Sequence, residues 1–121
     1  MKKLFAYGLL LLALVACNDD GPYKAFEGNW GGNYSGNEDF GPLEYTVNEQ
    51  GEVSGFMRSD TLNRKEEPLS GKVDIAGGFR IKGQAYAKEY IFEGNLNEKT
   101  ASGNWRTADS TLTGIWRATK F

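Results

Sequence analysis

Three pairs of adjacent acidic residues are the groups of this sequence best suited to acid and base chemistry: Asp19-Asp20, Glu38-Asp39 and Glu66-Glu67. A glycoside hydrolase needs two carboxyl groups that face each other across a cleft and differ in pKa. Neighbours in a polar segment provide neither burial nor separation, so we expect these carboxylates to lie in solvated loops. Asn37-Glu38-Asp39 offers oxygen ligands for calcium but lacks the spacing of a known calcium loop. We therefore expect no metal site and no cofactor.

Candidate nucleophiles are equally sparse. The sequence has no histidine, which removes the commonest general base and the usual partner of a catalytic serine. A serine would then need a lysine base, and no Ser-x-x-Lys motif occurs. Ser54, Ser70 and Ser102 each precede a glycine, as expected for outward hydroxyl groups beside an inward bend. The sequence predicts a protein that is not an enzyme.

The first residues predict export. Lys2 and Lys3, an apolar run from Leu4 to Ala13 and small residues before Cys17 follow the order of a secretory signal peptide. The apolar run is too short for a permanent transmembrane helix. The quartet from Leu14 to Cys17 (Leu-Val-Ala-Cys) resembles the lipobox of bacterial lipoproteins, in which the cysteine is acylated and begins the mature chain. The alternative is an ordinary signal peptide in which Cys17 is incidental.

The lipobox resemblance implies a division of the chain and a location. We expect a signal peptide at residues 1–16, a lipidated linker at 17–25 and one domain at 26–121. Asn18 follows the cysteine, whereas an aspartate there is the family's usual cue for retention in the inner membrane. The resemblance therefore implies a lipid anchor in the bacterial outer membrane. Whether the protein faces the periplasm or the cell surface stays open.

Composition excludes several classes of partner. Removal of the signal peptide removes two of the 14 basic residues, which leaves 12 against 16 acidic residues and a net charge of −4. Nucleic acid is excluded as an expected partner because no basic stripe is available to neutralise phosphates. Cys17 is the only cysteine, so no disulfide can form within the chain and stability must come from a packed core.

From Phe26 onward, apolar and polar residues alternate in two-residue steps between turn residues, which predicts an all-β domain. Tight turns at Gln50-Gly51, Gly77-Gly78, Glu98-Lys99 and Asp109-Ser110 predict an antiparallel meander. The expected strands are residues 26–35, 43–49, 52–58, 69–75, 79–87, 89–97, 101–107 and 112–119.

The apolar face of nearly every predicted strand contains a glycine. Inward glycines mixed with bulky aromatic residues are typical of a small closed barrel, where strands must bend and approach closely. We therefore predict a barrel of about eight strands rather than a sandwich. We place Trp30, Trp105 and Trp116 in its core, and Ile75 also on the inward face.

Three short motifs begin with glycine and end with tryptophan: Gly28-Asn29-Trp30, Gly103-Asn104-Trp105 and Gly114-Ile115-Trp116. With the meander connectivity, they resemble the lipocalin and avidin type of up-and-down barrel. The resemblance covers nearly all of the mature chain and implies an architecture. It implies no ligand site, because no residue set of this chain matches a biotin pocket.

Two long connections escape the barrel pattern and are the expected partner-binding segments. The main one runs from Ser59 to Pro68 and the neighbouring one from Ser35 to Pro42. Exposed apolar or basic residues in such loops can anchor in the pocket of a protein partner. The candidate residues of the main loop are Ser59, Asp60, Thr61, Leu62, Asn63, Arg64, Lys65, Glu66 and Glu67, and those of the second loop are Asn37, Glu38, Asp39 and Phe40.

The leading hypothesis is a non-catalytic binding lipoprotein that inhibits a secreted or surface peptidase by inserting a barrel-end loop into its active-site cleft. In its lipobox, size and β pattern, the chain is similar to small lipoprotein peptidase inhibitors of the potempin type, and more distantly to barrel inhibitors of zinc metallopeptidases. That resemblance favours a metallopeptidase target. Two alternatives stay open: a lipocalin-like carrier of a small apolar ligand, and an accessory subunit of an outer-membrane assembly.

Overall fold

The computed structural model describes residues 21–62 and 65–121. The predicted signal peptide, Cys17 and the Asp19-Asp20 pair lie outside the described residues, as do Asn63 and Arg64 of the main predicted loop. Eight strands follow in chain order: β1 (Gly28–Gly36), β2 (Phe40–Val47), β3 (Glu52–Arg58), β4 (Glu66–Val73), β5 (Gly78–Ala85), β6 (Lys88–Leu96), β7 (Thr100–Thr107) and β8 (Thr113–Lys120).

The strands form a closed barrel in which each strand pairs antiparallel with its neighbours in sequence. Closure comes from β8, which pairs with β1 from Gly114 opposite Gly36 to Lys120 opposite Trp30. The prediction of an all-β, eight-stranded antiparallel meander barrel is confirmed. Within the described ranges, no helix has the length and apolar character needed to span a bilayer.

Aromatic side chains fill the interior. Trp30, Trp105 and Trp116 are each at most 2% exposed, which confirms their predicted core positions. Tyr45 stacks on Trp30 with 5.9 Å between ring centroids, and Tyr90 stacks on Trp105 at 5.6 Å. The core is held by rings in contact, and such contacts contribute about 0.5–1.5 kcal/mol per pair beyond the buried area.

The inward glycines permit close approach between strands. A Cβ atom on Gly103 would lie 1.9 Å from the carbonyl oxygen of Glu93 and 2.6 Å from Cα of Gly94, on the paired strand β6. At Gly32, the corresponding distance to the carbonyl oxygen of Arg117 is also 1.9 Å. Side chains at these positions cannot coexist with this backbone, so the glycines are required by the closure of the barrel.

Two sequence predictions are wrong at strand ends. Ile75, expected on the inward face, lies in the β4–β5 turn and is 68% exposed. The Asp74 carboxylate accepts hydrogen bonds from the amides of Ala76 and Gly78, which turns the chain away from the sheet before Ile75 can pair. Residues 86–87, predicted to continue β5, form a two-residue turn between β5 and β6.

The barrel has two distinct ends. The base consists of the turns at residues 48–51, 74–77 and 97–99 together with residues 22–26, which form a turn before β1. Phe26 packs into the core there, and its carbonyl accepts a hydrogen bond from Nε1 of Trp30 at 2.9 Å. The mouth is the opposite end, and its described residues are 37–39, 59–62, 65, 86–87 and 108–112.

Candidate functional site

A buried carboxylate lies at the mouth. Asp39 was expected in a solvated loop, but that prediction is wrong because the residue is only 1% exposed. Its Oδ1 accepts hydrogen bonds from Oγ of Ser59 at 2.5 Å and Oγ1 of Thr61 at 3.0 Å, and its Oδ2 accepts one from the Tyr90 hydroxyl at 2.7 Å. These bonds replace the water that a carboxylate loses on burial. Asp39 therefore joins the mouth segment of residues 37–39 to the segment that begins at Ser59.

Tyr86 forms a second anchor for the connection between β3 and β4, whose described residues, 59–62 and 65, are called the mouth loop below. The turn that carries it places Tyr86 and Ala87 at φ values of 52° and 68°. Left-handed geometry costs about 1–2 kcal/mol per residue without glycine, but it matches the twist of a tight hairpin. The Tyr86 hydroxyl accepts a hydrogen bond from the Ser59 amide at 2.8 Å and donates one to the Lys65 carbonyl. One side chain thus joins both ends of the mouth loop.

These anchors hold Leu62 outward. Its amide donates to Oγ of Ser59 at 3.1 Å, and the amide of Asp60 donates to the carbonyl of Phe40 at 2.9 Å. Asp60 also pairs with Nε of Arg58 at 3.3 Å. The side chain of Leu62 remains 53% exposed although the polypeptide on its N-terminal side is fixed. The mouth loop therefore presents an apolar residue from an ordered support.

Burial dominates the electrostatics of the tyrosines around Asp39. Burial raises the pKa of Tyr34 and of Tyr90 well above the ordinary value, and the Asp39 carboxylate raises both further. Ser59 lies close enough to oppose the shift of the Tyr34 pKa. The hydroxyl of Tyr34 nevertheless meets hydrogen-bond geometry with no group among the residues described. The mouth interior is thus a desolvated site in which hydroxyl groups stay neutral.

Ser59 and Asp39 have the residue types of a nucleophile and a base, but a substrate has no access to them. Ser59 is completely buried, so a substrate cannot reach its Oγ while the mouth loop keeps this arrangement. A carboxylate is also a weak base for a serine, and the chain has no imidazole to stand between them. Across residues 21–62 and 65–121, no three His, Cys, Asp or Glu side chains gather as a metal site would require. The arrangement acts as a mechanical anchor.

Both predicted loops are shorter in the structure. Phe40 begins β2, where it pairs with Ser35 and is 50% exposed. Glu66 and Glu67 lie in β4, opposite Arg58 and Met57. Because strand pairing continues on both sides, the described residues of the two connections are 37–39 in the first and 59–62 and 65 in the second. Asn37 and Glu38 stay exposed in the first of these segments.

Sequence reasoning missed the two tyrosines that hold the mouth. The two-residue alternation of β6 places Tyr90 on the inward face, but nothing in its neighbourhood in sequence indicates a carboxylate partner 51 positions away. Tyr86 and Ala87 lack the glycine or asparagine that normally marks a left-handed turn, so the pattern extended β5 through them. No local signal identifies either anchor.

No protein-family model matches this chain, and no curated protein is significantly similar to it in sequence.

Proposed function

We propose that this protein is a membrane-tethered, non-catalytic inhibitor that presents its mouth loop to the active-site cleft of a secreted or surface peptidase. The observation that carries the proposal is Leu62, an exposed apolar side chain on a loop whose two ends are joined by Tyr86 and whose first residues are held by Asp39. A loop already held in one shape has less conformational entropy to lose on binding.

The position of the residues that precede β1 supports the proposal that the mouth contacts the peptidase. Residues 22–26 lie at the base, where the Tyr23 ring covers Gly51 and the Lys120 ammonium donates to the carbonyl of Ala25 at 2.7 Å. Cys17, the proposed lipidation site, precedes Gly21 by four positions. Lipid attached there would hold the base toward the outer membrane, so the mouth would point away from it. The resemblance in lipobox, size and β pattern to lipoprotein peptidase inhibitors of the potempin type also supports the proposed function.

No observation favours the two alternatives to the same degree. The interior positions that a carrier would need for an apolar ligand contain tryptophan, tyrosine and phenylalanine rings in mutual contact. An accessory role in an outer-membrane assembly would account for the tether but makes no use of an anchored mouth loop.

The test begins with the segment from Asn18 to Phe121, which contains all eight strands and the core. Immobilised, it is used to capture partners from the secreted proteins of the source organism, and captured peptidase activity is measured with and without excess barrel. A captured peptidase silenced by the barrel establishes the inhibitor and its target class. Capture of a coloured or lipid-bearing ligand without peptidase would overturn the proposal in favour of the carrier.

A matched pair of variants then tests the mouth loop. Leu62→Asp removes the presented apolar group, and Ile75→Asp makes the same change at an exposed position of the base. Loss of a central contact residue typically costs about 2 kcal/mol or more, so Leu62→Asp is expected to weaken inhibition by at least about 30-fold and Ile75→Asp by less than about twofold. Equal inhibition by the two variants would exclude Leu62 as the contact.

A further inference from the structure

A groove on the outer surface of the barrel is distinct from the mouth. It has a volume of about 740 Å³, runs over β7, β8 and β1, and is lined mainly by glycine, alanine and short polar residues. In the closed strand order, β8 lies across the barrel from β3 and β4, which carry the mouth loop. The outward residues that matter for its chemistry are Asn33, Ser102, Asn104, Ile115 and Arg117.

The three strands that form this face contain nine, eight and eight residues, none of them acidic. Their basic residues are Arg106, Arg117 and Lys120, of which Arg117 lines the groove. The barrel as a whole belongs to an acidic protein, since the full chain has 16 acidic and 14 basic residues. The other strands contain the acidic residues Glu44, Glu52, Glu66, Glu67, Glu89 and Glu93. The three strands of the groove therefore supply no carboxylate. The flanking strands place Glu44 opposite Gly31 and Glu93, which pairs with Arg106, opposite Asn104.

Arg117 is the free cation at the centre of the groove. It pairs in register with Asn33 on β1 and Ser102 on β7, and side chains at such positions lie about 5 Å apart. Among the described residues, no hydrogen bond or ion pair engages its guanidinium group. In contrast, Arg80 and Arg106 both pair with Glu93, at 3.4 Å and 3.8 Å. The donors of Arg117 are available to a ligand.

The side chains of the groove define the chemistry of that ligand. A guanidinium group binds a planar carboxylate through two parallel hydrogen bonds. Amide and hydroxyl groups, here those of Asn33, Ser102 and Asn104, exchange hydrogen bonds with sugar hydroxyl groups. Ile115, 50% exposed, offers an apolar surface for the C–H face of a sugar ring. We propose that this groove binds a carboxylate-bearing oligosaccharide.

Single-stranded nucleic acid fits the groove less well. Its recognition relies on exposed aromatic rings for base stacking and on several cations along the backbone. Trp116 is the only aromatic residue among those that line the groove, and its side chain is 1% exposed because it points into the core.

The proposal is tested by calorimetric titration of the full chain in detergent micelles with trigalacturonate and with the neutral sugar galactotriose. Trigalacturonate is expected to bind at least about tenfold more tightly, because loss of a charge-assisted hydrogen-bonded contact has about that effect. Arg117→Ala should weaken trigalacturonate binding at least about tenfold. Arg80→Ala, the matched control at an arginine already paired with Glu93, should change it by less than about twofold.

Ser102→Asp provides a second variant, because it places a carboxylate opposite Arg117 and should abolish binding. Circular dichroism and the melting temperature establish that each variant keeps its fold. Equal affinity for the two sugars, or unchanged affinity after Arg117→Ala, overturns the proposal. Equal or tighter binding of a glutamate-rich peptide or of phosphatidylglycerol vesicles also overturns it, since the groove would then recognise negative charge alone.

This inference does not depend on the proposed function of the mouth. Arg117→Ala should leave peptidase inhibition unchanged, and Leu62→Asp should leave trigalacturonate binding unchanged. Failure of one activity is therefore separable from failure of the other.

Discussion

Replacement of Asp39 by alanine tests the central feature of the mouth, a buried carboxylate that joins two segments of the chain. The substitution removes the acceptor used by Ser59, Thr61 and Tyr90. Ser59 and Tyr90 are completely buried, so their hydroxyl groups lose a partner without gaining water. Thr61 is exposed, so its hydroxyl group can bond to solvent instead.

The expected loss of stability follows from those two buried donors. Each buried group left without a partner costs about 1–3 kcal/mol. Removal of the carboxylate also relieves the cost of keeping it away from water, which offsets part of the total. We therefore expect Asp39→Ala to lower the free energy of unfolding by about 3 kcal/mol. Asp39→Asn, which keeps one carbonyl oxygen as an acceptor, should cost less than the alanine variant.

Urea unfolding of the segment from Asn18 to Phe121 measures the effect as a lower midpoint with an unchanged m-value. The matched control is Glu38→Ala, which removes an exposed carboxylate from the adjacent position and should change stability by less than about 0.5 kcal/mol. Equal stabilities of the Asp39→Ala and Glu38→Ala variants would refute the reasoning. The Asp39→Ala variant should also be cleaved faster by trypsin after Lys65, because the mouth loop loses one of its two anchors.

Two other predictions concern the barrel and its interior. Gly103→Ala places a Cβ atom 1.9 Å from the Glu93 carbonyl oxygen and should lower the free energy of unfolding by about 3 kcal/mol or more. The control is Gly21→Ala, whose Cβ atom meets no atom within 4 Å and which should have little effect. Thermal unfolding of the two variants distinguishes these outcomes. Burial raises the pKa of Tyr34, Tyr45 and Tyr90, so these residues keep their protons in the folded state above pH 10 while the unfolded chain releases them. The stability that the neutral tyrosines contribute is complete below about pH 10 and falls as the pH rises above that value. Absorbance at 295 nm should show these three tyrosines ionising only as the barrel unfolds. Ionisation before unfolding would contradict the assignment.

Residue order was sufficient to predict the strands and the faces of the barrel because both depend on local periodicity. Alternation in two-residue steps identified Trp30, Trp105 and Trp116 as core residues, and inward glycines indicated close approach between strands. Errors occurred where a side chain bonds its own backbone, as Asp74 does before Ile75. They also occurred where a turn forms without turn residues, as at Tyr86.

The two candidate sites depend on contacts between distant parts of the chain. Periodicity places Tyr90 inside the barrel, but only the folded barrel brings its hydroxyl group to Asp39. As a result, one residue of the acidic pair Glu38-Asp39 is buried although the sequence suggests that both are solvated. Likewise, β1 and β8 stand at opposite ends of the sequence, and their lack of acidic residues becomes a continuous face only when the barrel closes. The sequence by itself determined the strands and their inward faces because a two-residue period is local. Tertiary structure decided which polar side chains meet, because barrel closure sets register and neighbours across the whole chain.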